Sequence, residues 1–213
     1  MTKTKNLGFT LSEVLITLVI IGIISAMVIP VIHSYFEEQK NIAAWKRAYS
    51  NIAAATQLVT MESGTMENLC PSWDDNCLME KYSTKLNFMK KCLEAENLGN
   101  CWHNNDNSAT MYDGEGINWW TTCSGLILSD GSFVNFNFRD ATCSESKGSY
   151  ETCGYILIDV NGFKKPNSVG KDIFQIYLLK NSIKPRGSLD DADANSCHKN
   201  GSGWSCAQEY LKK

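Results

Sequence analysis

Nine cysteines, one isolated acidic residue and one oxygen-rich turn are the residues of this sequence whose types and spacing suit them to chemistry. The cysteines are Cys70, Cys77, Cys92, Cys101, Cys123, Cys143, Cys153, Cys197 and Cys206. None are spaced C-x-x-C, so the usual zinc and thioredoxin signatures are absent. So many thiols in a small soluble domain point to disulfides, hence to an oxidising compartment outside the cytoplasm. Their odd number leaves at least one free or paired with another chain. Cys197 and Cys206 bracket a short loop that closes readily, and a disulfide there stabilises by about 2–4 kcal/mol. The other cysteines allow many connectivities. Pairing sequence neighbours gives Cys70–Cys77, Cys92–Cys101 and Cys143–Cys153, with Cys123 left over.

The oxygen donors gather in residues 159–172, which begin Asp159-Val160-Asn161-Gly162 and end Gly170-Lys171-Asp172. D-x-N-G is how some calcium loops begin, with glycine permitting the sharp bend. Asp159, Asn161 and Asp172 would be the calcium ligands, although the bidentate glutamate of an EF-hand is missing. The competing reading is an Asx-type turn, in which Asp159 and Asn161 bond nearby backbone N–H groups. Lys164 and Lys165 oppose a cation and favour the turn. No other cofactor is expected. Three histidines, His33, His103 and His198, fall into no Ser/His/Asp or Cys/His signature, so catalysis is not expected. Trp73, Trp102, Trp119 and Trp120 read either as a sugar-binding face or as core and loop anchors, the commoner fate of such residues.

The elements that position these groups begin with an uncharged apolar run, residues 14–32, about the length a helix needs to cross a bilayer core. Beyond it the sequence turns mixed and polar, as for one soluble domain tethered at its N-terminus. A formal charge of −3 is too small to imply nucleic acid as a partner. Lys3 and Lys5 precede the run and no lysine or arginine follows until Lys40, which places the N-terminus inside and the domain outside. The charged region ends at Gly8, the apolar run is long, and no A-x-A-like site follows it, unlike a secretory signal peptide. Glu13 breaks the pattern at the edge of the run. A carboxylate at the membrane centre costs about 2.5–3.5 kcal/mol on insertion scales, so such a residue needs a partner. A cut after Gly8 would create an α-amine on Phe9, four residues from Glu13 and one helical turn away.

KNLGFTLSEVLITLVIIGIISAMVIP resembles the leader and first helix of type IV pilins and pseudopilins. A basic leader ends in Gly8, Phe9-Thr10-Leu11 follows, and Glu13 holds the fifth mature position. Gly22 lies inside the apolar helix and Pro30 near its end. The resemblance covers about the first thirty residues. It implies that a prepilin peptidase cuts between Gly8 and Phe9 and methylates the Phe9 amine. It further implies that Glu13 docks the subunit to its neighbour and that the stretch from Gly22 to Pro30 can extend in the assembled filament. Other pilin or pseudopilin subunits and an inner-membrane assembly platform would be the partners. The protein would be a single-pass inner-membrane protein that enters a filament. Some pseudopilins bind calcium in the region matching residues 159–172, and the tail Gly203-Trp204-Ser205-Cys206 resembles the disulfide-bounded end of pilins.

The resemblance and the pattern agree on an α+β class: a long N-terminal helix packed on an antiparallel sheet, with cysteine-rich loops. Ile42, Trp45, Tyr49, Ile52, Thr56 and Val59 recur at helical spacing and predict a core-facing stripe. Gly64 supplies a stop, and Pro30 is expected to kink or open the helix. Residues 125–128 and 132–138 flank Ser129-Asp130-Gly131 as a hairpin; 155–160 and 173–179 read as further strands. Alternation of Phe136, Asn137 and Phe138 predicts one apolar face. A short helix is expected near residues 78–92. The expected divisions are leader 1–8, membrane half of the helix 9–35, amphipathic half 36–63 and globular domain 64–213. Two roles compete: a structural subunit of a type IV pilus or type II secretion pseudopilus, or a low-copy minor pilin that binds a ligand as a tip adhesin.

Overall fold

The computed structural model describes residues 10–106, 108–117, 123–188, 191 and 193–212. They fall into two compact units, one up to Lys40 and one from Asn41 onward. In chain order the elements are α1 (Leu11–Ser63), α2 (Asp75–Ser83), β1 (Phe88–Cys92), α3 (Glu94–Asn97), β2 (Ser124–Leu128), β3 (Phe133–Phe138), β4 (Glu145–Lys147), β5 (Tyr150–Thr152), β6 (Gly154–Asp159), β7 (Ile173–Leu178), β8 (Ile183–Pro185) and α4 (Cys206–Lys212). Six strands form one antiparallel sheet in the order β1-β2-β3-β6-β7-β8, and β4 pairs with β5 apart from it. Long helix, variable segment, antiparallel sheet and tail make an α+β, pilin-like architecture.

Within the second unit, α1 buries Ile42, Trp45, Ala48, Ile52, Ala55, Thr56 and Val59, spaced three and four apart. Tyr49 is only half-buried, and Ala48 takes the innermost place in its turn. The Trp45 ring stacks on Phe174 of β7 at 4.6 Å between centroids, while its indole N–H donates to the Ala207 carbonyl (2.9 Å). One anchor thus joins helix, sheet and tail, and its polar end is satisfied. The helix stops where Gly64 takes φ +91° and donates its N–H to the Thr60 carbonyl (2.7 Å), a left-handed cap.

The β2–β3 hairpin turns on Asp130, whose Oδ1 accepts the Ser132 N–H (3.0 Å), followed by Gly131 at φ +86°. Leu126, Val134, Phe136, Phe138, Ile156, Ile158, Phe174, Ile176 and Leu178 line the sheet face that packs on α1 and α2. The opposite face is covered too. Phe133, Tyr155, Leu157, Ile173 and Tyr177 pack against Trp102, Ile117, Val169 and Trp204. Asn135 and Asn137, which alternation alone would turn toward water, are therefore buried. Asn97 of α3 donates through Nδ2 to Asn135 Oδ1 (2.9 Å) and to the Cys123 carbonyl (2.8 Å). The helix expected near residues 78–92 is shorter and earlier. It ends at Ser83, and residues 88–92 form edge strand β1, where backbone pairing with β2 and the Cys92 disulfide override helical spacing.

Candidate functional site

At the start of α1, Thr10 and Glu13 form a reciprocal cap. The Thr10 N–H and Oγ1–H both donate to Glu13 Oε2 (2.8 Å each), and the Glu13 N–H donates to Thr10 Oγ1 (3.3 Å). This is a capping box, which satisfies backbone donors that a helix start leaves open. The Thr-Leu-Ser-Glu string carries the S/T-x-x-E signal for it, and the expectation that Glu13 answers a neighbour's amine left this cap out. From Leu11 to Phe36 the large apolar side chains are exposed, and α1 is long and apolar enough to cross a membrane. Gly22 meets no atom within 4 Å of an added Cβ, so nothing in the chain itself packs on it. Pro30 lies within the helix, which is assigned without a break across it although Ala26 receives no N–H from that position. Gly8 and Phe9 lie outside the described residues.

The cysteines sit in the second unit. Disulfides join Cys70 to Cys77, Cys92 to Cys101, Cys143 to Cys153 and Cys197 to Cys206. Cys123 is buried without a disulfide, and Asn137 Nδ2 lies 3.2 Å from its sulfur. Burial, with Asp75 nearby, pushes the Cys123 thiol up to about 12, so the thiolate is disfavoured at neutral pH. Asp75 itself is buried at the first turn of α2. It accepts the Phe138 N–H (2.6 Å) and Asn137 Nδ2–H (3.2 Å), and burial pushes its carboxyl up to about 7.

Asp159, Asn161 and Asp172 come together at the sheet end. Asp159 Oδ1 accepts the Asn161 N–H (3.0 Å), an Asx turn, and Oδ2 lies 2.7 Å from His103 Nε2 with both side chains fully buried. Asp172 accepts the Ser168 N–H (2.6 Å), the Asn167 N–H (2.8 Å) and Asn161 Nδ2–H (3.2 Å). Burial, reinforced by Asp159, pushes the Asp172 carboxyl up to about 7; burial raises Asp159 also, against the pull of His103. The carboxylate oxygens are thus occupied by donors of the chain, and no group of three or more His, Cys, Asp or Glu suited to a metal exists among the described residues. Sequence reading missed His103 as part of this cluster, because nothing local in Trp102-His103-Asn104 announces a partner 56 residues away.

The tryptophans divide. Trp102 is wholly buried, Trp73 is 60 % exposed with the Arg139 guanidinium 4.1 Å from its ring centre, and Trp119 and Trp120 lie outside the described residues. Trp73 is held at φ +65° inside the Cys70–Cys77 loop, with its N–H donating to the Phe138 carbonyl (2.8 Å).

A family model described as a prokaryotic N-terminal methylation motif matches residues 3–29. No curated protein and no solved structure matches the chain.

Proposed function

We propose that this chain, which carries a type IV pilin-like prepilin signal, is a structural, non-catalytic subunit of a type IV pilus or a type II secretion pseudopilus. The observation that carries this is the sequel to the motif: a capped helix with Glu13 in its first turn and an unbroken exposed apolar surface behind it. A prepilin peptidase cuts between Gly8 and Phe9 and methylates the new amine. The subunit waits in the inner membrane with its N-terminus cytoplasmic. An assembly platform then moves it into a filament, where neighbouring helices cover the apolar surface that water would otherwise meet. His103, Asp159 and Cys123 are all buried away from any substrate, in line with a non-catalytic role.

Intact-mass and N-terminal analysis of the protein from its native membrane tests the processing step. A mature chain starting at methylated Phe9 is expected, and Gly8→Leu is expected to leave the full-length precursor. A native chain that keeps Met1, or is cut after Ala26, overturns the reading. A low-copy tip subunit is the second reading, favoured by the segment that follows the Cys92–Cys101 bridge and covers the second sheet face. Copy number in sheared filaments separates the two.

A further inference from the structure

Trp73 is a large apolar side chain held out in water on a fixed support. It is 60 % exposed, and its φ of +65° is one that a bulky L residue rarely adopts. Glycine would fill the position without strain. Strain kept at an exposed aromatic points to a contact that the ring makes outside the chain. The Cys70–Cys77 bridge closes the loop that carries Trp73, and Cys143–Cys153 anchors the neighbouring segment 138–144. Three bonds brace these segments against each other. The Asn68 N–H donates to the Ala141 carbonyl (2.8 Å), the Trp73 N–H to the Phe138 carbonyl (2.8 Å) and the Ala141 N–H to Ser72 Oγ (2.9 Å). The Arg139 guanidinium, 4.1 Å from the ring centre, covers one face of the indole, so the exposure belongs to the other face and the ring edge.

What surrounds the open face selects the ligand. A cation is disfavoured, because a guanidinium already occupies the opposite face of the same ring. An anion is disfavoured too, since Trp73 and Arg139 are each followed by an aspartate, Asp74 and Asp140, which together outweigh the one guanidinium. The hydroxyls and backbone N–H groups of Thr142 and Ser144 hold the Asp140 carboxyl well below the usual carboxylate range, so it stays charged. An extended peptide would need free main-chain donors, and the N–H groups of Asn68, Trp73 and Ala141 are spent on the bracing. Hydroxyls remain. Ser72 Oγ accepts the Ala141 N–H and still has a proton to give, while Thr142 Oγ1 donates to Asp140 and keeps lone pairs. A pyranose ring answers both features, with a C–H face for the negative face of the indole and hydroxyls at its rim. We infer that Trp73 binds the apolar face of a neutral sugar ring, a single residue of a glycan, with Ser72 and Thr142 beside it for the ring hydroxyls. The support is rigid before binding, which lowers the ordering cost.

Trp73 belongs to the unit from Asn41 onward, and failure of sugar binding would leave the filament reading intact. The test is fluorine NMR of the detergent-solubilised full chain with fluorinated tryptophan at its six tryptophan positions. Trp73→Tyr assigns the Trp73 resonance by removing it. The side chain is exposed and a ring is kept, so the variant is expected to fold, and Trp73→Phe serves the same purpose if it does not. The probes are the methyl glycosides of glucose, galactose, mannose and N-acetylglucosamine. At least one is expected to shift the Trp73 resonance, and leave those of the buried tryptophans in place, with a dissociation constant on the order of 10 mM, fitting for one small ring on an open surface. Absence of a shift with all four glycosides at tenfold that concentration overturns the inference. So does a shift confined to other tryptophans, or an equal shift with glycerol, which has hydroxyls but no ring face.

Discussion

Glu13 carries two demands that a pair of substitutions can separate. As the third residue of the helix it caps Thr10; in the proposed filament its carboxylate would answer a neighbour's amine. Glu13→Gln keeps an acceptor for the cap but loses the charge, whereas Glu13→Ala loses both. If docking is ionic, both variants are cleaved and membrane-resident yet poorly recovered in sheared filaments. Filament yield for Glu13→Gln equal to that of the parent would assign the residue to the cap alone. Asp75 makes a different prediction. Its folded value of about 7 lies above the ordinary aspartate value of 3.8. The protonated form is therefore favoured by folding, and that stabilisation, complete below about pH 4, is lost as pH rises through about 7. Asp75→Asn keeps an oxygen for the Phe138 N–H and presents an amide to Asn137, whose Oδ1 is buried without a partner. The variant is expected to flatten the urea-stability profile between pH 4 and 8 and to gain roughly 2 kcal/mol at pH 8. A profile parallel to the parent's would show that Asp75 does not titrate in that window.

At the scale of elements, the tail helix α4 is held by the Cys197–Cys206 bridge at its first residue and by the Trp45 indole on Ala207. Removing the bridge with Cys197→Ala and Cys206→Ala together is expected to cost about 2–4 kcal/mol in urea unfolding, with the sheet intact by circular dichroism. The loop between β6 and β7 makes the opposite kind of prediction. Its carboxylates are filled by N–H donors and by His103, so calcium at about 1 mM should leave the thermal midpoint where a chelator leaves it. A rise of several degrees would support calcium binding by Asp159, Asn161 and Asp172. The strongly patterned elements were legible from sequence: α1 through its stripe and glycine stop, the β2–β3 hairpin through Asp-Gly, β6 and β7 through continuous apolar runs. Phe88-Met89-Lys90-Lys91-Cys92 was not, because an exposed edge strand carries no apolar alternation and depends on its pairing with β2. Glu145-Ser146-Lys147 and Tyr150-Glu151-Thr152 are three-residue strands with no periodicity to read. The second sheet face stayed hidden because Asn135 and Asn137 look solvent-facing until Asn97, 38 residues from Asn135, arrives to meet them.

For the molecule as a whole, thiol accounting is the simplest check. With four disulfides and Cys123 buried, iodoacetamide is expected to add nothing to the native non-reduced chain and one adduct after urea. Several adducts in the native state would mean a reducing compartment or different connectivity. The spacing of those bridges has a bearing on biogenesis as well. Every one links residues only 7 to 10 apart in sequence, and a loop of about ten residues closes in roughly 10–100 ns. A chain threaded outward through a membrane at a few residues per second would therefore present each cysteine to its mate before the following pair emerged. Each native partner is then the cysteine nearest in sequence, so an oxidant acting over seconds or longer finds the native mate at the highest local concentration. Cys123 surfaces alone between the second and third pairs, and its concealment beneath Asn137 then removes the one thiol able to reopen its neighbours by exchange.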